Sequence, residues 1–348
     1  MRNLRVVYKS TKGDVVALDG IDIDIERNEF IAVVGESGCG KSTLALSVIG
    51  LLPKGSTEIK EGSISYKDKD LTKLNNKQRR NYRGTEIAMI FQQPLTSLNP
   101  VFRVGDQIAE AIMVRDSRQG RAPPHNSEVM QSVYNRTSRV TTRPNLRVRK
   151  STRLLLDEIT HVLQLVRIAD PKQVVDRYPF ELSGGMIQRI MIAMALSEKP
   201  SLLIADEPTT ALDTTTQAQV LKLMKDLIDT VQATILLITH DLAVASEVAD
   251  RVLIMYAGEI VEDTGVIEFF SEPLHPYSKG LLSCIPSGSK TKTRLQPIPG
   301  SIPDPASIVL GCKYAERCKF AMEKCRQRRP RLLEVRPKHK VSCFLYGE

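Results

Sequence analysis

Between residues 30 and 50 the chain reads Phe30-Ile31-Ala32-Val33-Val34, then Gly35-Glu36-Ser37-Gly38-Cys39-Gly40-Lys41-Ser42, then the spaced apolar residues Leu44, Leu46, Val48 and Ile49. No other stretch limits the fold as tightly. A short apolar run closed by a glycine reads as a buried strand, and G-x-x-x-x-G-K-[ST] between strand and helix reads as a phosphate loop. The glycines let successive backbone N–H groups converge on phosphate oxygens, and the helix N-terminus adds the positive end of its dipole. Gly35, Ser37, Gly38, Cys39, Gly40, Lys41, Ser42 and Thr43 are the expected cradle. Lys41 is placed to reach the outer phosphates and Ser42 to ligate Mg²⁺. The backbone N–H of Cys39, not its thiol, is the part expected to matter.

The rest of the chain supplies a matching scaffold. Apolar strands at Leu202–Ala205, Ile235–Ile238 and Val252–Met255 are separated by helical stretches such as Gln217 to Ile228, which implies an α/β fold with a parallel sheet. Val15 to Ile25 alternates apolar and polar residues, as a half-buried antiparallel strand does. With 348 residues, 42% of them hydrophobic and 26% charged, a sizeable core is available and wholesale disorder is excluded. The net charge of +9 is unevenly placed. Arg115 to Arg153 carries 10 basic and 2 acidic residues, and Cys312 to the end carries 11 and 4. Basicity therefore belongs to two segments, and the body gives no argument for nucleic acid. The first segment lacks periodicity, contains Pro123-Pro124, and reads as a flexible insert. No apolar run approaches the roughly 18 residues of a membrane span, and Met1 to Ser10 has no apolar core of a secretory signal. A cytoplasmic protein with peripheral membrane contact is expected.

A second cluster bears on chemistry. Leu202-Leu203-Ile204-Ala205-Asp206-Glu207-Pro208 is an apolar strand ending in two acids: Asp206 suits Mg²⁺ through its water shell, and Glu207 suits the activation of a water. Leu182-Ser183-Gly184-Gly185-Met186-Ile187-Gln188-Arg189 offers a second helix start able to bind phosphate. In order and spacing, Gly35–Ser42, Leu182–Arg189, Leu203–Pro208, Ala211-Leu212-Asp213 and Thr239-His240-Asp241 resemble the Walker A, signature, Walker B, D-loop and H-loop of an ABC ATPase. Gln92 resembles the Q-loop glutamine, and Tyr8 stands where that family stacks adenine. The resemblance implies a P-loop fold of parallel core sheet, antiparallel β subdomain and helical subdomain (about 94–183, with the 115–153 insert) over residues 1–264. It implies ATP and Mg²⁺ as cofactors, with Ser42, Gln92 and Asp206 at the metal, and Glu207, His240 and Gln92 as catalytic residues. Ser183, Gly184, Gly185, Gln188 and Asp213 would face nucleotide across a dimer of two ATPase subunits.

Leu95-Thr96-Ser97-Leu98-Asn99-Pro100, His275-Pro276-Tyr277, Pro299-Gly300 and Pro303 resemble the oligopeptide/dipeptide-importer branch, whose ATPases carry a C-terminal extension, here 265–348. That resemblance implies two membrane permease subunits, an external solute-binding protein acting indirectly, and a place on the cytoplasmic face of the membrane. Peptides are the default cargo, with oligosaccharides the alternative. A DNA-associated ATPase of the same fold is the rival, but it would carry a long coiled coil or zinc modules inside the cassette, and no nucleic-acid partner is expected. Cys312, Cys318, Cys325 and Cys343 crowd the extension. Their spacing lacks the short C-x₂₋₄-C pairs of structural zinc, and a single unbroken helix would hold Cys318 and Cys325 about 10 Å apart. The resemblance implies that the four ligate a [4Fe–4S] cluster; zinc, disulfides and free thiols are the alternatives. The cassette carries its own sheet and loop, so the extension is expected to be separable from hydrolysis.

Overall fold

The structure is a computed structural model. It describes residues 1–11, 13–92, 97–118, 146–210, 212–285, 297–304, 306–307 and 309–347, with the backbone alone for 146–152, 229 and 231. Leu95, Thr96, Ala211 and the centre of the basic insert, all singled out above, lie outside the described residues, as does Gln93, the less favoured choice for the Q-loop glutamine. The strands are β1 (Arg2–Tyr8), β2 (Val15–Ile21), β3 (Phe30–Val34), β4 (Thr57–Ser63), β5 (Ser65–Tyr66), β6 (Lys69–Asp70), β7 (Ile87–Ile90), β8 (Leu202–Asp206), β9 (Thr234–Thr239), β10 (Arg251–Tyr256), β11 (Glu259–Gly265), β12 (Leu333–Arg336) and β13 (His339–Val341). The chain divides into two compact units, Met1–Arg79 with Thr234–Glu348, and Arg80–Ala233. The sequence boundary at 264/265 falls inside the first.

In the first unit, β3 pairs in parallel with β9 on one side and β10 on the other, in register from Phe30↔Ile235 and Arg251↔Ile31. All of β3 and β9 is buried, which is why both read as continuous apolar runs and not as alternations. The sheet is mixed, not purely parallel: β11 runs antiparallel to β10, β13 to β11 and β12 to β13. The last two strands come from the C-terminal segment, which extends the sheet edge. A separate antiparallel sheet, in the order β2-β1-β4, accompanies it. The alternation expected through Ile25 persists as burial, with Ile23 inside and Asp22 and Asp24 outside. The strand itself ends at Ile21. Beyond it the Asp22 carboxylate accepts from Asn3 N at 2.9 Å where a ladder bond would lie.

The second unit pairs β7 and β8 in parallel, from Ile87↔Leu202 to Ile90↔Ala205. Its helices include Val104–Arg118, Leu146–Leu165, Gly184–Ser197 and Thr214–Val231. The stretch read as an aperiodic insert is therefore helical at both ends. Arg115 lies in the last turn of the first helix and is 4% exposed. It is bonded to Asp116, to Glu158 and to the Ser197 carbonyl. A charged run seen in sequence gives no sign that one of its members faces inward.

Candidate functional site

The Walker A loop leaves β3 and enters the Lys41–Ile49 helix through Gly40, at φ +109°. A Cβ on Gly40 would stand 2.5 Å from the Ala17 carbonyl oxygen, so both conformation and space require glycine. Lys41 is 6% exposed. Its Nζ donates to the carbonyls of Gly35 at 2.8 Å and Glu36 at 2.9 Å, folding the cation onto the loop. Cys39 is buried, its thiol pushed up by burial, and its N–H donates to the Glu36 carbonyl at 3.3 Å, closing the turn. Ser37, Gly38 and Ser42 are exposed and Thr43 half-buried. Tyr8 reaches the same helix, its hydroxyl 3.3 Å from Thr43 Oγ1.

Two contacts on this loop come from far along the chain. The N–H of Glu36 donates to the Tyr277 hydroxyl at 3.1 Å, and Arg317 Nη1 donates to the Glu36 carboxylate at 3.1 Å. Tyr277 was quoted above only as part of His-Pro-Tyr, and Arg317 only as one of eleven bases. His275 starts the Pro276–Ser283 helix, its Nδ1 accepting from Tyr277 N at 3.0 Å, and burial drives its pKa down to about 3. It caps as a neutral ring. His240 stands exposed at the end of β9.

In the second unit, β8 ends at Asp206, 5% exposed. Glu207 follows at φ +47°, a left-handed conformation that costs a non-glycine residue about 1–2 kcal/mol. Strain of this kind clusters at functional sites. The Glu207 carboxylate accepts from Gln92 Nε2 at 2.9 Å and from Thr210 Oγ1 at 3.0 Å. Gln92 and Glu207, singled out separately in the sequence, are thus in contact, and Thr210 is an orienting partner that sequence reading missed. The signature helix starts at Ser183, whose Oγ accepts from Met186 N at 3.4 Å. A Cβ on Gly185 would stand 2.5 Å from Thr216 Cγ2, so glycine lets this turn press on the neighbouring helix. That helix is capped by Asp213, which accepts from Thr216 N at 3.0 Å; these backbone bonds hold its carboxyl below the usual range. Ser183 and Gly184 are exposed, but Gln188 corrects the expectation: it is fully buried, its amide without a hydrogen-bond partner among the described residues. One turn into the helix, position 188 faces inward.

Cys312, Cys318, Cys325 and Cys343 line one cavity, walled by His275, Tyr314 and Phe344 among others. The chain between Cys318 and Cys325 is broken, as sharing requires: Cys318 follows a 3₁₀ turn and Cys325 lies in the Glu323–Gln327 helix. All six cysteines are free thiols. Burial pushes Cys312 up to about 12 and raises Cys318 and Cys343. Among the described residues no three His, Cys, Asp or Glu side chains converge closely enough to hold a metal ion.

A lysine folded into a glycine loop and a strained carboxylate at a strand end are the working parts of a P-loop ATPase. Residues 18–210 match the family model for ABC transporters, and residues 261–325 match the C-terminal region of oligopeptide/dipeptide transporters. The chain belongs to the ABC transporter family and is one of its ATP-hydrolysing cassettes. It is 43% identical to the oligopeptide transport ATP-binding protein AppD of Bacillus subtilis, over 100% of this chain and 96% of that one. It is 41% identical to the dipeptide transport ATP-binding protein DppD of the same organism, over 100% and 94%. Among solved structures it is similar to the ATP-binding cassette MJ0796, seen as a dimer in a post-hydrolysis state with ADP and Pi. The TM-score is 0.58 at 24% identity, over 76% of this chain and 97% of that one. It is also similar to cbiO1 from Clostridium perfringens, at TM-score 0.57 and 25% identity, over 78% and 91%. No helix among the described residues is long and apolar enough to cross a membrane.

Proposed function

We propose that this chain powers the uptake of di- and oligopeptides, as one of two cassettes docked on two membrane permease subunits at the cytoplasmic face, with an external solute-binding protein delivering cargo. Residues 1–264 are the ATPase domain in this reading and 265–348 the importer-type extension. The observation that carries it is the presence of both matched regions on one chain, 18–210 and 261–325. Lys41 neutralises phosphate charge, and Ser42, Asp206 and Gln92 are assigned to Mg²⁺ by their motifs. Glu207 takes the proton of the attacking water, held for it by Gln92. His240 is assigned to the γ-phosphate, Tyr8 to adenine, and Ser183, Gly184, Gly185 and Asp213 to nucleotide bound by the opposite cassette.

The four C-terminal cysteines are assigned to a [4Fe–4S] cluster. Four soft donors facing one cavity suit either a cluster or zinc. Zinc, held at about 2.3 Å from each sulfur, is the alternative for the same four thiols. Such a group, when bound, ties together a short segment with little core of its own.

The test is transport in vesicles holding both permeases and both cassettes, with binding protein outside and ATP inside. Labelled tripeptide should accumulate, and Glu207→Gln should abolish accumulation. Uptake of a labelled trisaccharide in place of the peptide overturns the cargo assignment, and uptake indifferent to Glu207→Gln overturns the role of that carboxylate.

A further inference from the structure

The Walker A loop is braced from the C-terminal side by a charge pair and a hydroxyl. Arg317 is buried, and two of its nitrogens make three bonds. Nη1 donates to the Glu36 carboxylate at 3.1 Å and to the Tyr256 hydroxyl at 3.4 Å, while Nε donates to the Pro299 carbonyl at 2.8 Å. Its guanidinium also lies 5.7 Å from the centre of the Tyr256 ring and 5.9 Å from that of Tyr314. Tyr256, Tyr277 and Tyr314 form one aromatic cluster, with ring centres 4.7 to 5.4 Å apart. The Tyr277 hydroxyl in turn accepts from the N–H of Glu36. One residue of the phosphate loop is thus held twice, through its backbone and through its side chain, by residues beyond position 264.

Glu36 is an awkward residue to carry there. Its carboxylate sits in a loop whose task is to receive a polyphosphate, and an uncompensated negative charge next to that site repels the ligand. Arg317 offsets this charge with a cation that cannot deprotonate. Burial disfavours the arginine's charge, but its bonds to Glu36 and Tyr256 more than restore it. Tyr314 and Cys318, which flank Arg317 closely in sequence, line the cysteine cavity, so whatever organises that cavity also places the guanidinium.

We propose that Arg317 is a positioning residue for nucleotide binding: by neutralising Glu36 and, together with Tyr277, fixing it, the C-terminal segment sets the affinity of the Walker A loop for Mg-ATP. The proposal rests on the reading of this loop as the ATP site. It makes the extension part of the binding apparatus, where sequence alone suggested a separable appendage.

The experiment compares the full chain with Arg317→Gln, Arg317→Lys, Glu36→Gln and the double Arg317→Gln/Glu36→Gln variant, measuring KM and kcat for ATP and direct Mg-ATP binding. Arg317→Gln should raise KM and Kd about tenfold, within the range of couplings inside one ion-pair network. The hydrolytic step depends on Glu207, so kcat at saturating ATP should stay within about twofold. Arg317→Lys, which keeps the charge, should recover most of the affinity. The double variant should bind more tightly than Arg317→Gln alone, because the repelling carboxylate is gone. Tyr277→Phe, which deletes only the hydroxyl, gives a second reading should Arg317→Gln fold poorly, and should raise KM about threefold. An unchanged KM in folded Arg317→Gln, or a double variant no better than the single, overturns the proposal. Failure of the unsubstituted chain to bind Mg-ATP would instead overturn the assignment of the loop itself.

Discussion

The Gly35–Ser42 loop and the strand end at Asp206-Glu207 are built on opposite plans. Lys41 is nearly buried and rests on carbonyls of its own loop, and Glu36 beside it is fixed by Tyr277 and Arg317 from more than two hundred residues away. Glu207 is half-exposed, sits in a strained backbone, and is steadied by two side-chain bonds from Gln92 and Thr210. The first plan gives a preformed cradle that loses little freedom when ligand arrives. The second holds its carboxylate through side chains that can be replaced one at a time.

The comparison breaks most sharply by exchanging the two residues that define it. Glu207→Gln should lower kcat by roughly 10²–10⁴, the contribution of a positioned base, while nucleotide titration shows unchanged affinity. Lys41→Ala should do the reverse at the binding step, weakening Mg-ATP roughly 100-fold, since a bond to a charged group contributes about 1.5–3 kcal/mol. If Lys41→Ala leaves affinity intact, the cradle is not preformed around that cation.

A smaller effect concerns what stands behind the cradle. Lys313 bonds the Ala257 carbonyl at 2.8 Å and pairs with Asp19 at 3.0 Å and Glu259 at 3.3 Å, with Arg329 on the same two acids. Burial pushes Glu259 upward against these cations. Lys313→Ala should cost about 2–3 kcal/mol in urea unfolding, less than the 3–5 of a fully orphaned buried pair because Arg329 remains. Arg2→Ala, which breaks an exposed pair with Asp24, should cost less than about 1 kcal/mol. Equal costs would mean that the inner network adds nothing to the outer one.

Gln92→Ala should reduce kcat about tenfold, since it frees the Glu207 carboxylate, with a smaller rise in KM for Mg-ATP from its assignment to Mg²⁺; a pure KM effect would leave Gln92 with the metal role alone. The smallest change is expected from Tyr8→Phe. It removes a single hydroxyl contact with Thr43, worth about 1 kcal/mol or less, and should leave KM within about threefold. A loss as large as that of Lys41→Ala would mean that the hydroxyl, not the ring, matters.

What the sequence discloses here follows the range of each interaction. The β3 strand, its loop and its helix are encoded by neighbours, so spacing alone located them. Gln92 and Glu207 are 115 residues apart, yet each carries a local motif, and the family resemblance joined them. Gln188 was misjudged because the motif marks a position without saying which way the helix face turns. Arg115 and Arg317 were hidden for a common reason: each sits in a basic run, and burial of one member depends on partners that include residues of other elements. Thr210 is ordinary in sequence and becomes informative only through the turn that Glu207 makes.

The Arg317–Glu36 pair also has a consequence in time. The two residues are separated by 281 positions, and a ribosome adding about 5–20 residues per second makes the second roughly 15–55 seconds after the first. Through that interval the glycine loop has been made, but its counterion has not yet been synthesised. The loop carries an unbalanced acid and a weakened grip on nucleotide until the last tenth of the chain is translated. On the proposal made for Arg317, a truncated product that stops short of it should bind Mg-ATP more weakly than the full chain.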